Sequence, residues 1–458
     1  MNRNSALSVL CAASFLVPFT GSAINLSLPR IGEQFALNAI SLGWIATSFQ
    51  ITTAIFQVPF ARMADLFGRK KVFITGILLF GISALMCGFA PSGEILIALR
   101  AISGLGCAMM FGTSMAILTV IFPPSERGKA IGINTAVVYA ALASGPFAGG
   151  MLTHCLGWQS LFFSIGTVGF LVAAGAFIFL KGEWVESKGE RFDYAGSIIY
   201  ATGLFCLIYG FSKLPENKSF LLIAAGTVSF FIFVLYELKV RQPVFNVRIF
   251  SGNKTFGLSC FSALINYACT SATAFLLSLY LQFIRGFNPQ HAGSILIIQA
   301  CIQCVVTIYA GKLSDRINPF LLAATGMGVI AMGLTGMIFL DFNTSIIYIV
   351  LLIALLGVGF GMFSSPNTNI IMGSVEKKYY GPASATVGTM RLTGQALSMG
   401  IAMMSLSLYI GDRVITAELY PQFMQSLRIS FGICALLCLT GVYTSSFNSA
   451  DKNLKNNA

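Results

Sequence analysis

The sequence predicts an all-α polytopic membrane protein with fourteen transmembrane helices, and three observations lead there. Of 458 residues, 56% are hydrophobic and only 10% charged, with a mean hydropathy of +0.81. A soluble domain devotes about a quarter of its residues to charge. Apolar runs long enough to cross a bilayer, roughly 20 residues each, follow one another with short connectors between them. The basic residues in those connectors then fall alternately on two sides, as the positive-inside rule requires.

The runs are continuous rather than alternating in polarity, which excludes a β-barrel. Taken in order, they place helices at 5–28, 41–61, 71–90, 94–121, 128–150, 160–180, 194–212, 219–238, 254–284, 291–311, 319–340, 345–371, 382–409 and 427–447. The first run is too long for a cleaved signal and carries no clear small-residue cleavage site, so it reads as a retained helix. Those at 94–121, 254–284 and 345–371 exceed a bilayer's thickness and are expected to tilt or project. Abundant glycine, 46 residues, suits close helix approach.

Charge placement tests the count. With a cytoplasmic N-terminus, the inner connectors hold Arg3, Arg62, Arg69, Lys70, Lys71, Arg127, Lys129, Lys181, Lys188, Arg191, Lys239, Arg241, Arg248 and Lys254. They continue with Lys312, Arg316, Lys377, Lys378, Lys452 and Lys455, making 20 of the 28 basic residues. The outer side receives 6: Arg30, Lys213, Lys218, Arg285, Arg413 and Arg428. Only Arg100 and Arg391 fall within spans. One missed helix would scramble this split, so both termini are predicted on the cytoplasmic side of the cell membrane.

Several function classes drop out. The net charge of +12 is spread over short connectors rather than one helix face, which argues against nucleic acid as a partner. No GxxxxGK[ST] run exists for a nucleotide-driven pump. The eleven Cys are scattered through apolar runs, and the one CxxC, Cys301 and Cys304, lies in an apolar helix. Two histidines, His154 and His291, lie near helix ends. No metal-ligand spacing and no nucleophile–base pair is evident, so no cofactor, no metal and no enzymatic activity are expected.

"ARMADLFGRKK" at 61–71 packs four positive charges and one carboxylate between two uncharged runs. "GKLSDR" at 311–316 repeats its pattern of small, basic, apolar, small and acidic residues. The copies are eight helices apart, so both face the same side. Two six-helix bundles with one inserted helix pair account for that offset, a recognised transporter plan. The expected division is an N-terminal bundle at 1–180, a linker and inserted pair at 181–253, and a C-terminal bundle with a short tail at 254–458. The charged connector "KGEWVESKGERFD" at 181–193 reads as an interfacial linker.

At these residues the chain resembles the major facilitator superfamily, and within it the fourteen-helix drug:proton antiporter branch. "ARMADLFGRKK" is similar to the superfamily's loop motif after helix two, GxLaDrxGrkxxl. Ala61 replaces the leading glycine and Leu66 an arginine, while Asp65, Gly68, Arg69 and Lys70 match. "LIALRAISGLGCA" at 96–108 is similar to the helix-four motif, with Arg100 as its buried arginine and Ser103 where glutamine is common. "ALASGPFAGG" at 141–150 is similar to the antiporter motif of helix five. "INLSLPRI" at 24–31 and "GPASATVGTMRLTGQALSMG" at 381–400 are similar to the branch's helix-one and helix-thirteen segments.

The residues admit physical roles beside that resemblance. Asp65 suits the N-terminal end of helix three, Gly68 permits a tight turn, and Arg62, Arg69 and Lys70 can pair with Asp65 or with carboxylates on neighbouring helices. With Lys312, Asp315 and Arg316 they form a candidate cytoplasmic gate, the alternative being charges that only fix topology. Arg100 and Arg391, costly inside a membrane, and the peripheral Glu94 are candidates for coupling or substrate contact. Gly145, Pro146, Gly149 and Gly150 read as a kink with close packing. "LGVGFGMFSSPNTN" at 356–369 reads as the same device, with Pro366 breaking the helix. Asn25, Gln50, Gln57, Asn134, Tyr139, Asn266, Tyr267, Gln299, Gln303, Gln395 and Asn367 are candidates to line a cavity.

One departure stands out: the branch's helix-one aspartate, five positions before Asn25, is Thr20, and none of the 16 acidic residues falls mid-membrane. The resemblance implies alternating-access export of small amphipathic, drug-like compounds in exchange for protons, by a monomer in contact with membrane lipid. The missing carboxylate keeps open proton-independent transport of a small neutral or anionic metabolite, and a non-transporting receptor.

Overall fold

The computed structural model of the protein describes residues 3–456 except 188, 215, 246, 251, 315 and 377–379. Its described residues are helical almost throughout. In chain order the helices are α1 Arg3–Phe35, α2 Ala39–Phe67, α3 Arg69–Gly88, α4 Gly93–Ile121, α5 Pro124–Leu156 and α6 Trp158–Phe179. α7 Tyr194–Ser212 and α8 Asn217–Glu237 follow, then α9 Lys254–Ala268 and α10 Ser271–Leu279. The last five are α11 Pro289–Ser314, α12 Pro319–Ile338, α13 Ile346–Gly373, α14 Tyr380–Tyr409 and α15 Tyr420–Asn456. Because α9, α10 and the π turn Tyr280–Ile284 stack into one crossing, the described residues make fourteen spans. Thirteen are long and apolar enough by themselves, and α14 completes the number from its place inside the protein.

Short polar residues start many of these helices, as first-turn amides need acceptors. Asn38 Oδ1 accepts from the Ser41 amide at 2.7 Å, Asp193 Oδ1 from Gly196 at 2.9 Å, and Asn253 Oδ1 from Phe256 at 2.9 Å. Pro124 and Pro319 open α5 and α12, where a missing amide costs nothing.

The packing falls into two matching sets. In the first, α2 and α3 pack on α4, α1 on α5, and α3 and α1 on α6. In the second, α11 and α12 pack on α13, α9 on α14, and α12 and α9 on α15. The sets meet along α5 with α11 and α2 with α14. α7 sits on the α2–α14 seam, touching both helices, while α8 packs chiefly on α7 and faces outward along most of its length. Large apolar side chains such as Leu171, Phe177, Leu221 and Leu351 stay exposed on the outside, which is how a lipid-facing belt is built. The molecule is a multi-pass membrane protein.

One expected break moved. α13 runs through Pro366 as a single helix, whereas the expected continuous helix 254–284 is interrupted at Cys269–Thr270. There the amides of Cys269 and Thr270 turn back to the carbonyls of Asn266 and Tyr267, at 3.1 and 3.2 Å. Ser398 Oγ, from α14, accepts from the Ala272 amide at 2.9 Å. A side chain of another helix thus takes over a backbone donor, which permits a break without proline.

Candidate functional site

Two polar centres emerge, one at the basic end of the bundle and one between the two helix sets. At the basic end, α2 finishes at Phe67, Gly68 turns the chain with φ +119°, and α3 starts at once. That backbone angle is the left-handed region in which L side chains are strained. A Cβ there would also strike the Glu183 side chain.

Around this turn, Arg69 Nε donates to Asp65 Oδ1 at 2.7 Å, its Nη2 pairs with Glu186, and its Nη1 reaches the Ala116 carbonyl at 3.4 Å. Arg62 donates to Ser187 Oγ at 3.0 Å and pairs with Glu190. Glu183 Oε1 accepts from the Lys70 amide at 2.8 Å. The backbone is tied as well: the amides of Glu186 and Ser187 both donate to the Asp65 carbonyl at 3.1 Å, and the Arg69 amide to the Trp184 carbonyl at 2.9 Å.

The 181–193 connector is therefore a strap across the basic turn, and it supplies three of the four carboxylates there. Only the Arg69–Asp65 pair matches the expectation of partners within the turn or on neighbouring helices. Three Glu within eight residues, facing a turn with four cations, were a legible signal of complementarity in the sequence. In the second copy, Lys312 and Arg316 are exposed, and Asp315 lies outside the described residues.

Near the middle of the molecule, Arg391 of α14 holds its guanidinium 4.7 Å from the centre of the Phe111 ring of α4. The Tyr139 hydroxyl of α5 hydrogen-bonds Ser364 of α13 at 2.5 Å. Both contacts run from one helix set to the other. Gln57 of α2 is buried with its Oε1 unpartnered, and its amide nitrogen faces Gly388, one turn from Arg391. A cation, a phenol, an aromatic ring and an amide thus converge between the sets. Phe111 and Ser364 escaped sequence reasoning, since neither an apolar residue in an apolar helix nor a lone serine carries a local signal.

The other candidates lie elsewhere. Arg100 is 1% exposed inside the first set, its Nε bonded to the Ile45 carbonyl at 3.1 Å and its guanidinium 4.5 Å from the Phe49 ring. Its Nη2 has no partner. Asn266 donates to Met327 Sδ at 3.4 Å and Asn367 to the Ser259 carbonyl at 3.2 Å, so both serve packing within the second set. Asn25 and Asn134 are buried, while Gln50, Gln299, Gln303 and Gln395 are half-buried. Glu94 is exposed in the first turn of α4.

The helix-five glycines face two ways. Gly145 and Gly149 lie against α1, at Ser22 and Ala23. Gly150 lies against the Pro289 backbone of α11, and Gly293 of α11 against the Pro146 carbonyl. This reciprocal contact closes the seam at the end opposite the strap. Two more contacts close the same end: the Ala39 amide to the Arg413 carbonyl at 3.1 Å, and Ser278 Oγ to the Asn25 carbonyl at 2.7 Å.

A family profile described as the Major Facilitator Superfamily matches residues 10–399. The chain belongs to this superfamily. It is accordingly a secondary transporter of small molecules that works by alternating access. It is 24% identical over 98% of both chains to the "Riboflavin transporter RibZ" of Clostridioides difficile. It is 26% identical to the "Multidrug resistance protein Stp" of Mycobacterium tuberculosis, over 88% of this chain and 76% of that one. The "Puromycin resistance protein pur8" of Streptomyces alboniger is 27% identical over 87% of this chain and 80% of its own. Among solved structures, a bacterial homolog to the human lysosomal transporter Spinster, inward-facing and unoccupied, superposes with a TM-score of 0.72. That pair is 16% identical over 98% and 97% of the two chains, which is a likeness of fold. For this superfamily member, the two matched helix sets are the two bundles.

Proposed function

We propose that this protein exports small amphipathic aromatic compounds, and that they dock between the bundles around Arg391, Phe111, Tyr139 and Gln57. The convergence of these side chains from both bundles, near mid-membrane, carries the reading. Aromatic faces take a planar solute, and a guanidinium without a carboxylate partner among the described residues takes a neutral or anionic one. Relatives named for riboflavin, tetracenomycin C and puromycin support aromatic cargo. Relatives named for drug resistance support drug-like cargo, and exchange for protons is what the resemblance of the loop and helix-five motifs to the drug:proton antiporter branch implies.

In this reading the bundles span 1–180 and 254–458, with 181–253 as linker and inserted pair. The basic end faces the cytoplasm, both termini lie there, and the protein acts as a monomer. The bundles are then closed on the outside. The strap and Arg62, Asp65, Gly68, Arg69 and Lys70 form the cytoplasmic gate, joined in the second half by Lys312, Asp315 and Arg316.

The test is uptake of riboflavin, puromycin and tetracenomycin C into proteoliposomes, with and without an imposed pH gradient. Saturable flux of at least one compound is expected. It should fall about tenfold or more in Arg391→Ala, equivalent to about 1.4 kcal/mol of lost binding. Gradient-independent flux would sink proton exchange, and no flux from folded protein would favour a receptor.

A further inference from the structure

Two carboxylates that the central site does not use meet at the basic end of the inserted helix pair. Asp193 caps α7, its Oδ1 accepting from the Gly196 amide at 2.9 Å and from the Tyr236 hydroxyl at 3.2 Å. Glu237 ends α8 and is fully buried, its Oε2 accepting from the Phe245 amide at 3.4 Å. Their other oxygens, Asp193 Oδ2 and Glu237 Oε1, are both buried and without a hydrogen-bond partner. Both oxygens point at the one position where a Cβ of Gly196 would sit, so they lie within about 5 Å of each other.

The surrounding charges do not neutralise the pair. Arg62 of α2 is within electrostatic reach of Glu237; its two terminal nitrogens are engaged by Ser187 and Glu190, and its buried Nε, without a hydrogen-bond partner, makes no ion pair with either carboxylate. Arg248 Nη2 is bound to the carbonyls of Leu238 and Val240. Arg191, Lys239 and Arg241 are exposed, and Arg391 of α14 lies at the central site. Tyr236 is the other titratable group in contact. Among the described residues neither carboxylate has an ion-pair partner.

We infer that Asp193 and Glu237 form a proton-binding pair, one proton bridging Oδ2 and Oε1, which provides the coupling site that Thr20 leaves out of helix one. Two carboxylates this close, one of them without solvent, do not both hold full charge, and a shared proton satisfies both unpartnered oxygens. α7 carries Asp193 and lies on the seam, touching α2 and α14, one helix from each bundle. Its Tyr200 hydroxyl also donates to the Ala54 carbonyl of α2 at 3.2 Å. Rocking of the bundles therefore shifts α7 against its neighbours and changes the surroundings of the pair. The coupling role rests on the transporter reading; the proton site does not.

The experiment is an infrared difference titration of the purified protein in lipid nanodiscs, over roughly pH 4 to 9, a range that brackets carboxyl titration. A carboxylic acid C=O band that titrates in the wild type should be lost in Glu237→Gln and also in Asp193→Asn, because the proton is shared. The exposed Glu418→Gln control should keep it. Asp193→Asn provides the second readout if the buried Glu237→Gln fails to fold. Survival of the band in both variants would overturn the proposal. So would its displacement when sodium replaces N-methylglucamine at fixed pH, since the pair would then be a metal-cation site. Failure of all three compounds to cross proteoliposomes would remove the transport reading, while the behaviour of the band would still decide the proton site.

Discussion

Arg69→Ala should cost far more stability than removing the glutamate it pairs with, because burial differs across the network. The Arg69 side chain is 8% exposed and holds Asp65, 29% exposed, and Glu186, 66% exposed. Removing one partner of a buried pair costs about 3–5 kcal/mol, whereas an exposed pair is worth about 0–1 kcal/mol. Asp65 keeps part of its hydration once alone, so Arg69→Ala should cost about 2–3 kcal/mol and Glu186→Ala under about 1 kcal/mol. Arg69→Lys should recover less than half of the loss, since an ammonium cannot reach Asp65, Glu186 and the Ala116 carbonyl as a planar fork does. Reversible unfolding in mixed micelles measures these differences, and proteolysis within 181–193 reports whether the strap has lifted. Equal costs for Arg69→Ala and Glu186→Ala, or an unchanged strap in Arg69→Ala, would refute the reasoning.

Gly293→Val should force α11 away from the Pro146 carbonyl. Cysteine labelling at the end opposite the strap should rise, and transport should fall by about tenfold or more, a shift of roughly 1.4 kcal/mol in the equilibrium between conformations. Ser398→Ala should leave the buried Ala272 amide without its acceptor and cost about 1–3 kcal/mol in the same unfolding assay. Pro366→Ala should cost less than Ser398→Ala, because α13 is already continuous there; the reverse order would place the functional break in α13.

The number of spans and their order were legible because each helix must bury its own backbone hydrogen bonds and show lipid an apolar surface. Those demands act locally, and they leave runs and connectors that can be read one by one. The helix-five glycines were legible as a close-packing element for the same reason, but their two targets were not. That Gly149 meets Ala23 while Gly150 meets Pro289 depends on which helices stand on either side. The central site was half legible: Arg391, Gln57 and Tyr139 are polar residues in oil and draw attention, while Phe111 and Ser364 do not. Arg100 drew the same attention and proved to be enclosed within one bundle.

The sequence by itself determined a fourteen-span membrane protein with two related halves and the charged turn at 61–71, because hydropathy and charge are properties of each segment alone. Only the tertiary structure decided that the 181–193 connector straps that turn, that α9 and α10 separate where Ser398 accepts the Ala272 amide, and that Asp193 and Glu237 face one another. Each depends on groups far apart in the chain meeting at a few ångströms, and no local pattern records that.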